Sequence, residues 1–276
     1  MSLKENDLFD GVRDKVKIAI ERLRYFEPKD GSGYYVAFSG GKDSIVVKDL
    51  VIKSGCKFDI HFNVTSVDPP ELMKYIKEHH SDVQRHMPER TMFQLWKDKM
   101  MPPTRIIRFC CEVLKERGGK GRNVVTGVRW AESARRAQRR LFEAKRNDKR
   151  TYFLHPIIDW KDSDVWQYIH ENKLPYCSLY DEGMKRIGCI GCPMSSRRKE
   201  DFARWPAYEK AYRAAAAAAA AAAKNIRDNG PEYLAKRFKG RKLRWDTGEA
   251  MFSWWMEERH GEDEEKNPAQ SCMIFE

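Results

Sequence analysis

The feature that most constrains this chain of 276 residues is one short run, Ser39-Gly40-Gly41-Lys42-Asp43-Ser44, set between two apolar stretches. Ahead of it, residues 34–38 (YYVAF) are apolar and rich in β-formers. Behind it, Ile45, Val46, Val47, Leu50 and Val51 recur at helical spacing. The predicted order is strand, glycine turn, helix, which puts the turn at the carboxyl end of a strand, where parallel sheets place their ligands. Two glycines let the backbone approach an anion closely, the N–H groups of a helix N-terminus point at it, and Lys42 adds a full charge. Ser39 and Ser44 add hydroxyl donors, so the run reads as a phosphate cradle. It is not the G-x-x-x-x-G-K-[ST] loop, which needs Gly at 36 and Ser or Thr at 43, where this chain has Val36 and Asp43.

The alternation continues along the chain. The spacing predicts an amphipathic helix over 5–24, a strand over 58–64, and a helix from Asp68-Pro69-Pro70-Glu71 to about His80. It then predicts a strand over 123–128, a charged helix over 131–146, a strand over 152–158 and a helix over 163–171. Strands alternating with helices imply an α/β fold, a parallel twisted sheet with helices on both faces. After 199 no strand signal is clear, and ten alanines at 214–223 favour helix without an amphipathic pattern. The expected domains are therefore 1–199 and a mainly helical extension over 200–276 with an acidic tail at 257–265. No stretch approaches the ~18–20 apolar residues of a spanning helix. The start, MSLKENDLFDG, lacks the apolar core of a signal peptide, so a cytoplasmic protein without membrane contact is expected.

Charge narrows the partners. Lys and Arg exceed Asp and Glu by 52 to 41, and the excess is concentrated: 15 against 5 over 105–150, 5 against none over 184–199, and 8 against 2 over 224–244. Such patches suit a polyanion, either nucleotide phosphates or a nucleic-acid backbone. Seven Cys in a chain without a secretory signal argue for metal or catalysis over a disulfide framework. Cys110 and Cys111 are adjacent, and Cys189-x-x-Cys192 follows after 77 intervening residues, a soft thiolate set that suits Zn²⁺ or an iron–sulfur cluster. Adjacent cysteines are awkward around one compact Zn²⁺ but can span two irons, which favours [4Fe–4S]. Cys56 and Cys177 read as core residues, and Cys272, near the end of the chain, as exposed.

These motifs together carry a family resemblance. The run 39–44 resembles the PP-loop of the ATP pyrophosphatase superfamily, whose fold is adenine nucleotide alpha hydrolase-like. The rest is similar to the branch containing adenylyl- and phosphoadenylyl-sulfate (PAPS) reductases: Asn63-Val64-Thr65 with Pro70-Glu71; Thr126-Gly127-Val128-Arg129-Trp130-Ala131-Glu132-Ser133 with Arg135 and Arg136; His155-Pro156-Ile157, Asp159-Trp160 and Asp164-Val165-Trp166; Leu174-Pro175-Tyr176 and Leu179-Tyr180-Asp181-Glu182-Gly183; and Ile187-Gly188-Cys189. CC with a distant CxxC resembles the cluster motif of adenylyl-sulfate reductases. The resemblance implies nucleotide-binding roles for Ser39, Gly40, Gly41, Lys42, Asp43, Ser44, Thr65, Gly127, Arg129, Arg135 and Arg136. Of these, Lys42, Asp43 and Arg129 are the catalytic candidates, and Cys110, Cys111, Cys189 and Cys192 would be the metal ligands.

Two departures separate this chain from the reductases. Their loop generally lacks the Gly-Gly-Lys kept here as Gly40, Gly41 and Lys42, and their nucleophilic E-C-G-[LI]-H motif is replaced by Gln270-Ser271-Cys272-Met273-Ile274. The remaining pattern resembles cluster-containing PP-loop sulfurtransferases, especially the ATP pyrophosphatases of DNA phosphorothioation systems. That resemblance implies ATP and Mg²⁺, adenylation of a nucleic-acid acceptor with release of pyrophosphate, and sulfur from a persulfide donor such as a cysteine desulfurase. A homodimer is among the assemblies left open. A sulfonucleotide reductase of sulfate assimilation and a zinc-containing nucleic-acid-binding module are the alternatives.

Overall fold

The computed structural model describes residues 3–7, 11–146, 148–230 and 244–257. In chain order its elements are β1 (Lys4–Asp7), β2 (Gly11–Asp14), α1 (Lys15–Tyr25), β3 (Tyr34–Ala37), α2 (Lys42–Ser54), β4 (Phe58–Asn63), α3 (Pro70–His79), β5 (Gln84–His86), α4 (Met92–Lys99) and α5 (Phe109–Leu114). Then come β6 (Asn123–Val125), α6 (Ala134–Ala137), β7 (Phe142–Lys145), β8 (Asp148–Leu154), α7 (Asp162–Glu171), α8 (Arg198–Arg204), α9 (Pro206–Asn229) and α10 (Gly248–Met256). Where the sequence suggested one boundary at 199, compactness divides the chain differently. One unit holds Met1–Asn63, Pro70–His86 and Arg117–Ile187, and the other holds Val64–Pro69, Met87–Glu116 and Gly188–Glu276.

The first unit is built on a six-stranded sheet of order β5-β4-β3-β6-β8-β7, parallel except that β7 runs antiparallel to β8. From β3 the chain steps outward to β4 and β5, then returns to lay β6 on the other side of β3. The loops leaving β3 and β6 therefore diverge at a switch point, which opens a crevice beyond their carboxyl ends. Helix α2 packs between α1 and α7, burying Val46, Val47, Leu50 and Val51, each worth about 1.5–3 kcal/mol. Arg22 of α1 forks onto Asp159 (2.8 and 2.9 Å) and donates to the Pro156 carbonyl (2.8 Å), which holds the segment after β8 against that layer.

Three expectations are corrected. The helix predicted over 5–24 begins only at Lys15, because Asp14 caps it, accepting from the N–H groups of Val16 and Lys17 (3.0 and 3.1 Å). Residues 4–7 and 11–14 pair instead as the antiparallel strands β1 and β2. The charged helix over 131–146 is reduced to a 3-10 turn at Trp130–Glu132 and the four residues of α6, after which the chain turns into β7. The apolar positions at helical spacing, Ala131, Ala134, Ala137, Leu141 and Ala144, are mostly alanines with little surface to bury, whereas as a strand the segment stacks Phe142 between Phe26 (4.5 Å) and Tyr152 (5.1 Å). The strand placed at 152–158 runs instead over Asp148–Leu154, ending before Pro156, which has no N–H for a ladder.

The second unit is helical among its described residues. Helix α9, which contains the ten alanines, packs between α4 and α10 and buries Ala215, Ala216, Ala219, Ala220 and Ala223. An aromatic cluster fills its centre: Trp96 meets Trp255 edge-on at 4.8 Å, and Tyr212 lies 5.1 Å from Trp255. The Trp255 indole N–H donates to the Pro103 carbonyl (2.9 Å).

Two buried histidines of the first unit set its response to acid. His80 lies between the Lys48 ammonium (Nζ to Nδ1, 2.9 Å) and the Tyr75 hydroxyl (2.6 Å to Nε2), and burial, reinforced by Lys48, depresses its pKa to about 4. His155, fully buried, shares a hydrogen bond with Thr126 Oγ1 (2.7 Å to Nδ1), and burial with Arg139 nearby likewise lowers it to about 4. Both values lie below the ordinary 6.5, so in this window the unfolded chain binds more protons than the folded one, and stability rises with pH. The contribution is complete above about pH 6.5 and is lost as pH falls toward 4, at up to about 1.4 kcal/mol per pH unit for each histidine. Urea melts at pH 7.5, 6.0 and 4.5 are expected to show a falling midpoint across the whole range; a midpoint constant down to pH 5 contradicts this account.

Candidate functional site

The glycine loop occupies the carboxyl end of β3, as its sequence predicts. Gly40 adopts φ +71°, and a Cβ there would lie 2.7 Å from Leu72 Cδ1 and 2.9 Å from Ile76 Cδ1, so only glycine fits. The loop closes on itself: Ser44 Oγ donates to the Gly41 carbonyl (2.8 Å) and accepts from the Ser39 N–H (3.2 Å). Gly41 begins α2 with no side-chain cap, leaving the helix N-terminus open to an anion. The phenol oxygen of Tyr180 accepts from the Lys42 N–H (2.9 Å), and burial beside Asp43 holds that phenol well above its ordinary range.

The loop after β6 is drawn against this cradle. A Cβ at Gly127 would stand 2.8 Å from Asp43 Cβ and 2.9 Å from its backbone carbon, so this approach also requires glycine. Arg129, 2% exposed, bridges two carboxylates: its Nε meets Asp43 Oδ1 at 2.6 Å and its Nη2 meets Asp162 Oδ1 at 3.0 Å, while Nη1 donates to the Trp160 carbonyl (3.3 Å). Lys42 Nζ shares Asp162 (3.2 Å) and donates to the Lys185 carbonyl (3.0 Å). Burial raises the Asp43 carboxyl above the usual range, and Arg129 and Lys42 pull against it. The first unit thus brings together Ser39, Gly40, Gly41, Lys42, Asp43, Ser44, Gly127 and Arg129.

The other predicted residues have different surroundings. Arg135 is exposed, and Arg136 pairs with Glu132, whose carboxylate also accepts from the Arg129 N–H (3.0 Å). Glu132 therefore orients arginines. Thr65 belongs to the second unit, where its N–H donates to Asp68 (2.7 Å) and its hydroxyl accepts from Cys189 Sγ (3.5 Å). Asp162 and Tyr180 are the members that sequence reasoning missed. Both had a signal: Asp162 stands two residues after Trp160, inside the quoted tryptophan motif, as the first residue of α7, and Tyr180 lies in the quoted run Leu179-Tyr180-Asp181-Glu182-Gly183.

All four expected metal ligands fall in the second unit, contributed by α5 and by the turn at 188–192. Cys192 N–H closes that turn onto the Cys189 carbonyl (3.2 Å), Ile190 N–H donates to Val67 (2.8 Å), and Tyr212 donates to the Ile190 carbonyl (3.0 Å). Gly191, at φ +68°, has Phe202 2.8 Å from where a Cβ would be. Among the described residues no group of three or more His, Cys, Asp or Glu is arranged to hold a metal ion. The electrostatics nevertheless suit an anionic sulfur centre. The Cys110 thiol, hydrogen-bonded to Cys111, is pushed up, whereas Cys111 is lowered to about 6 by that bond, against the opposing effect of burial. Lys115 is raised by Cys189 first, then by Cys111 and Cys192, against the opposing effect of burial. Soft sulfur donors from two stretches with a cation close by are the residue types a thiolate-ligated cluster would use, so the donor chemistry fits. Cys272 lies outside the described residues. No helix among the described residues is long and apolar enough to cross a membrane.

Known proteins resemble the part of the chain that holds this loop. Residues 33–195 match the family model of the phosphoadenosine phosphosulfate reductase domain. Two uncharacterized proteins of Methanocaldococcus jannaschii are each 30% identical, over 64% and 70% of this chain. The chain spans only 41% and 53% of their lengths. The adenosine 5'-phosphosulfate reductase of Staphylococcus haemolyticus is 28% identical over 71% of this chain and 86% of its own length. Among solved structures, the PAPS reductase of Candida auris in a phosphate complex aligns with a TM-score of 0.48 at 20% identity, covering 62% of this chain and 87% of that one.

The close approach of the two loops generates a test. Gly127→Ala has to push the Asp43 backbone away, so titration calorimetry with a non-hydrolysable ATP analogue is expected to show affinity reduced about tenfold or more, the ~1.4 kcal/mol of a displaced phosphate contact. Unchanged affinity would mean that the two loops do not bind nucleotide as a unit.

Proposed function

Because the chain belongs to the phosphoadenosine phosphosulfate reductase domain family, we propose that it is an ATP-dependent member that adenylates an acceptor, a nucleic acid, and releases pyrophosphate so that sulfur can be incorporated. The observation that carries this reading is the complete cradle: Gly40 and Gly41 at an uncapped helix N-terminus with Lys42 held at its mouth. A sulfonucleotide has no pyrophosphate to place there, whereas ATP does.

In this reading the β,γ-phosphates lie on the loop N–H groups, with Lys42 turning from Asp162 onto a phosphate oxygen. Asp43 and Asp162 present hard oxygen donors and are the residues that would hold Mg²⁺, which when bound offsets phosphate charge. Arg129, locked between these carboxylates, fixes their positions, and Arg135 and Arg136 face the adenylate or the acceptor phosphate. An acceptor oxygen attacks the α-phosphorus, the bond to the β-phosphate oxygen breaks, and pyrophosphate leaves. The terminal sulfur of a persulfide, delivered by a cysteine desulfurase, then displaces AMP, and a thiol reduces the resulting disulfide to free the thiolated acceptor. Cys110, Cys111, Cys189 and Cys192 would hold a [4Fe–4S] cluster, which supplies an electron-rich, redox-active sulfur centre when bound.

The second reading, reduction of adenylyl or phosphoadenylyl sulfate, is favoured by the names of the bacterial relatives, at 27–29% identity. It would require a nucleophilic thiol, for which Cys272 is the candidate. The two readings separate in one assay. Anaerobically purified protein is expected to release pyrophosphate from ATP with a DNA or tRNA acceptor, and Lys42→Ala to abolish release. Sulfite formation from adenylyl sulfate without ATP turnover would establish the reductase instead. The same preparation is expected to be brown with acid-labile sulfide, and to lose its colour in Cys189→Ala.

A further inference from the structure

The segment that follows the Gly127–Arg129 loop carries more positive charge than the nucleotide site, which takes at most Arg135 and Arg136 of it, accounts for. Over 130–152 the sequence has eight Lys and Arg against three Asp and Glu. Two of those three acids are taken up locally, Glu132 by Arg136 and Glu143 by Arg139. Arg135, Arg140, Arg146 and Lys149 are exposed and make no ion pair among the described residues, and Arg150 is exposed beside them. Three of these charges, Arg146, Lys149 and Arg150, sit at the end of the β7–β8 hairpin, where the register slips between Ala144 and Lys145. Three large aromatic side chains are exposed among the described residues, and two of them, Trp130 (43%) and Tyr152 (37%), lie in this same segment.

A plainer explanation would be protection of an edge strand, since β7 ends the sheet and charges deter pairing with another chain. One or two charges on the strand suffice for that, and Lys145 lies there. Arg135 and Arg140 lie outside any strand edge, on and after α6. The segment is also braced to the nucleotide loop. Trp130 Nε1 donates to the Arg139 carbonyl (2.8 Å), Arg129 N–H to Glu132 (3.0 Å), and Thr126 is hydrogen-bonded to His155 at the end of β8 (2.7 Å). The hairpin tip lies at the amino end of β8 and the braced loop at its carboxyl end, so a polyanion on these charges would run the length of the β7–β8 edge, about 20 Å, toward the crevice.

The geometry points to this face, Arg135, Arg140, Arg146, Lys149 and Arg150 with Trp130 and Tyr152, as the docking surface for the phosphate backbone of a nucleic acid. The inference rests on the acceptor reading above and assigns the surface that reading lacks. Basic side chains without local carboxylate partners release counterions when they meet phosphates, and exposed aromatics offer stacking to unpaired bases.

The test measures binding of a DNA duplex and of a tRNA to the full chain over a range of salt. The hairpin variant R146Q/K149Q/R150Q is expected to bind roughly tenfold or more weakly at low salt, with the slope of log affinity against log salt reduced by about 2–3. R135Q/R140Q, which leaves the hairpin intact, is expected to change in the same direction. K17Q/K74Q/K77Q removes as much charge from exposed helix positions and is expected to bind like the wild type. Thermal midpoints confirm that the variants are folded. If wild type binds and the hairpin variant binds equally, or loses no more than K17Q/K74Q/K77Q, the surface is wrong while the acceptor reading stands. If wild type binds neither duplex nor tRNA, the acceptor reading fails and the surface with it. Preference between the two probes identifies which nucleic acid the surface fits.

Discussion

The candidate nucleotide site depends on one buried guanidinium. Arg129 is a planar fork with two carboxylates on it, one from the start of α2 and one from the start of α7, so three elements that leave the sheet at different points are fixed by a single side chain. Removing such a group would take from Asp43, the less exposed of the two carboxylates, its closest partner, while Asp162 would keep Lys42. Lysine could not replace it, because an ammonium has no rigid fork to span both oxygens. The constraint also explains Gly127: the backbone two residues earlier must come close enough to Asp43 that no side chain fits.

The same arrangement fixes the charge of the site without ligand. Arg129 and Lys42 carry two positive charges, and Asp43 and Asp162 two negative ones, so the group is neutral while Asp43 is ionised, and burial works against that ionisation. A triphosphate brings about four negative charges, which this balanced set cannot match alone. The uncapped N-terminus of α2 supplies partial positive charge, and the two carboxylates offer hard oxygens to a divalent cation. Asp162, the more exposed of the two (61% against 22%), is the one free to change partners.

The parts of the fold legible in the sequence were those whose signals are local. The glycine run, the apolar strand before it and the helical spacing after it all lie within twenty residues, and each names its element without help from the rest of the chain. The parallel sheet followed from alternating strands and helices, but its strand order, and with it the switch point, did not. The segment 131–146 was misread because its charges satisfy a helix as readily as a strand; what decides for the strand is the stacking of Phe142 on Phe26, more than a hundred residues away in sequence. Asp162 and Tyr180 were hidden for the same reason, since their roles come from Lys42 and Arg129, brought to them by the sheet. The division into units was not visible either, because the second is assembled from three separate stretches, one of only six residues.

That assembly bears on the cysteines. Cys110 and Cys111 lie in one stretch of the second unit, and Cys189 and Cys192 in another, with Thr65 and Asp68 in the third, so the unit gathers around sulfur what the sequence scatters. Lys115, whose side chain is exposed, stands close enough to these sulfurs that Cys189 first, then Cys111 and Cys192, hold its proton. Its charge in turn favours the Cys189 thiolate, against burial, which pushes that group toward the neutral thiol. Sulfurs from two distant stretches are therefore one electrostatic group in the fold, a grouping that neither the adjacent pair nor the C-x-x-C turn carries alone.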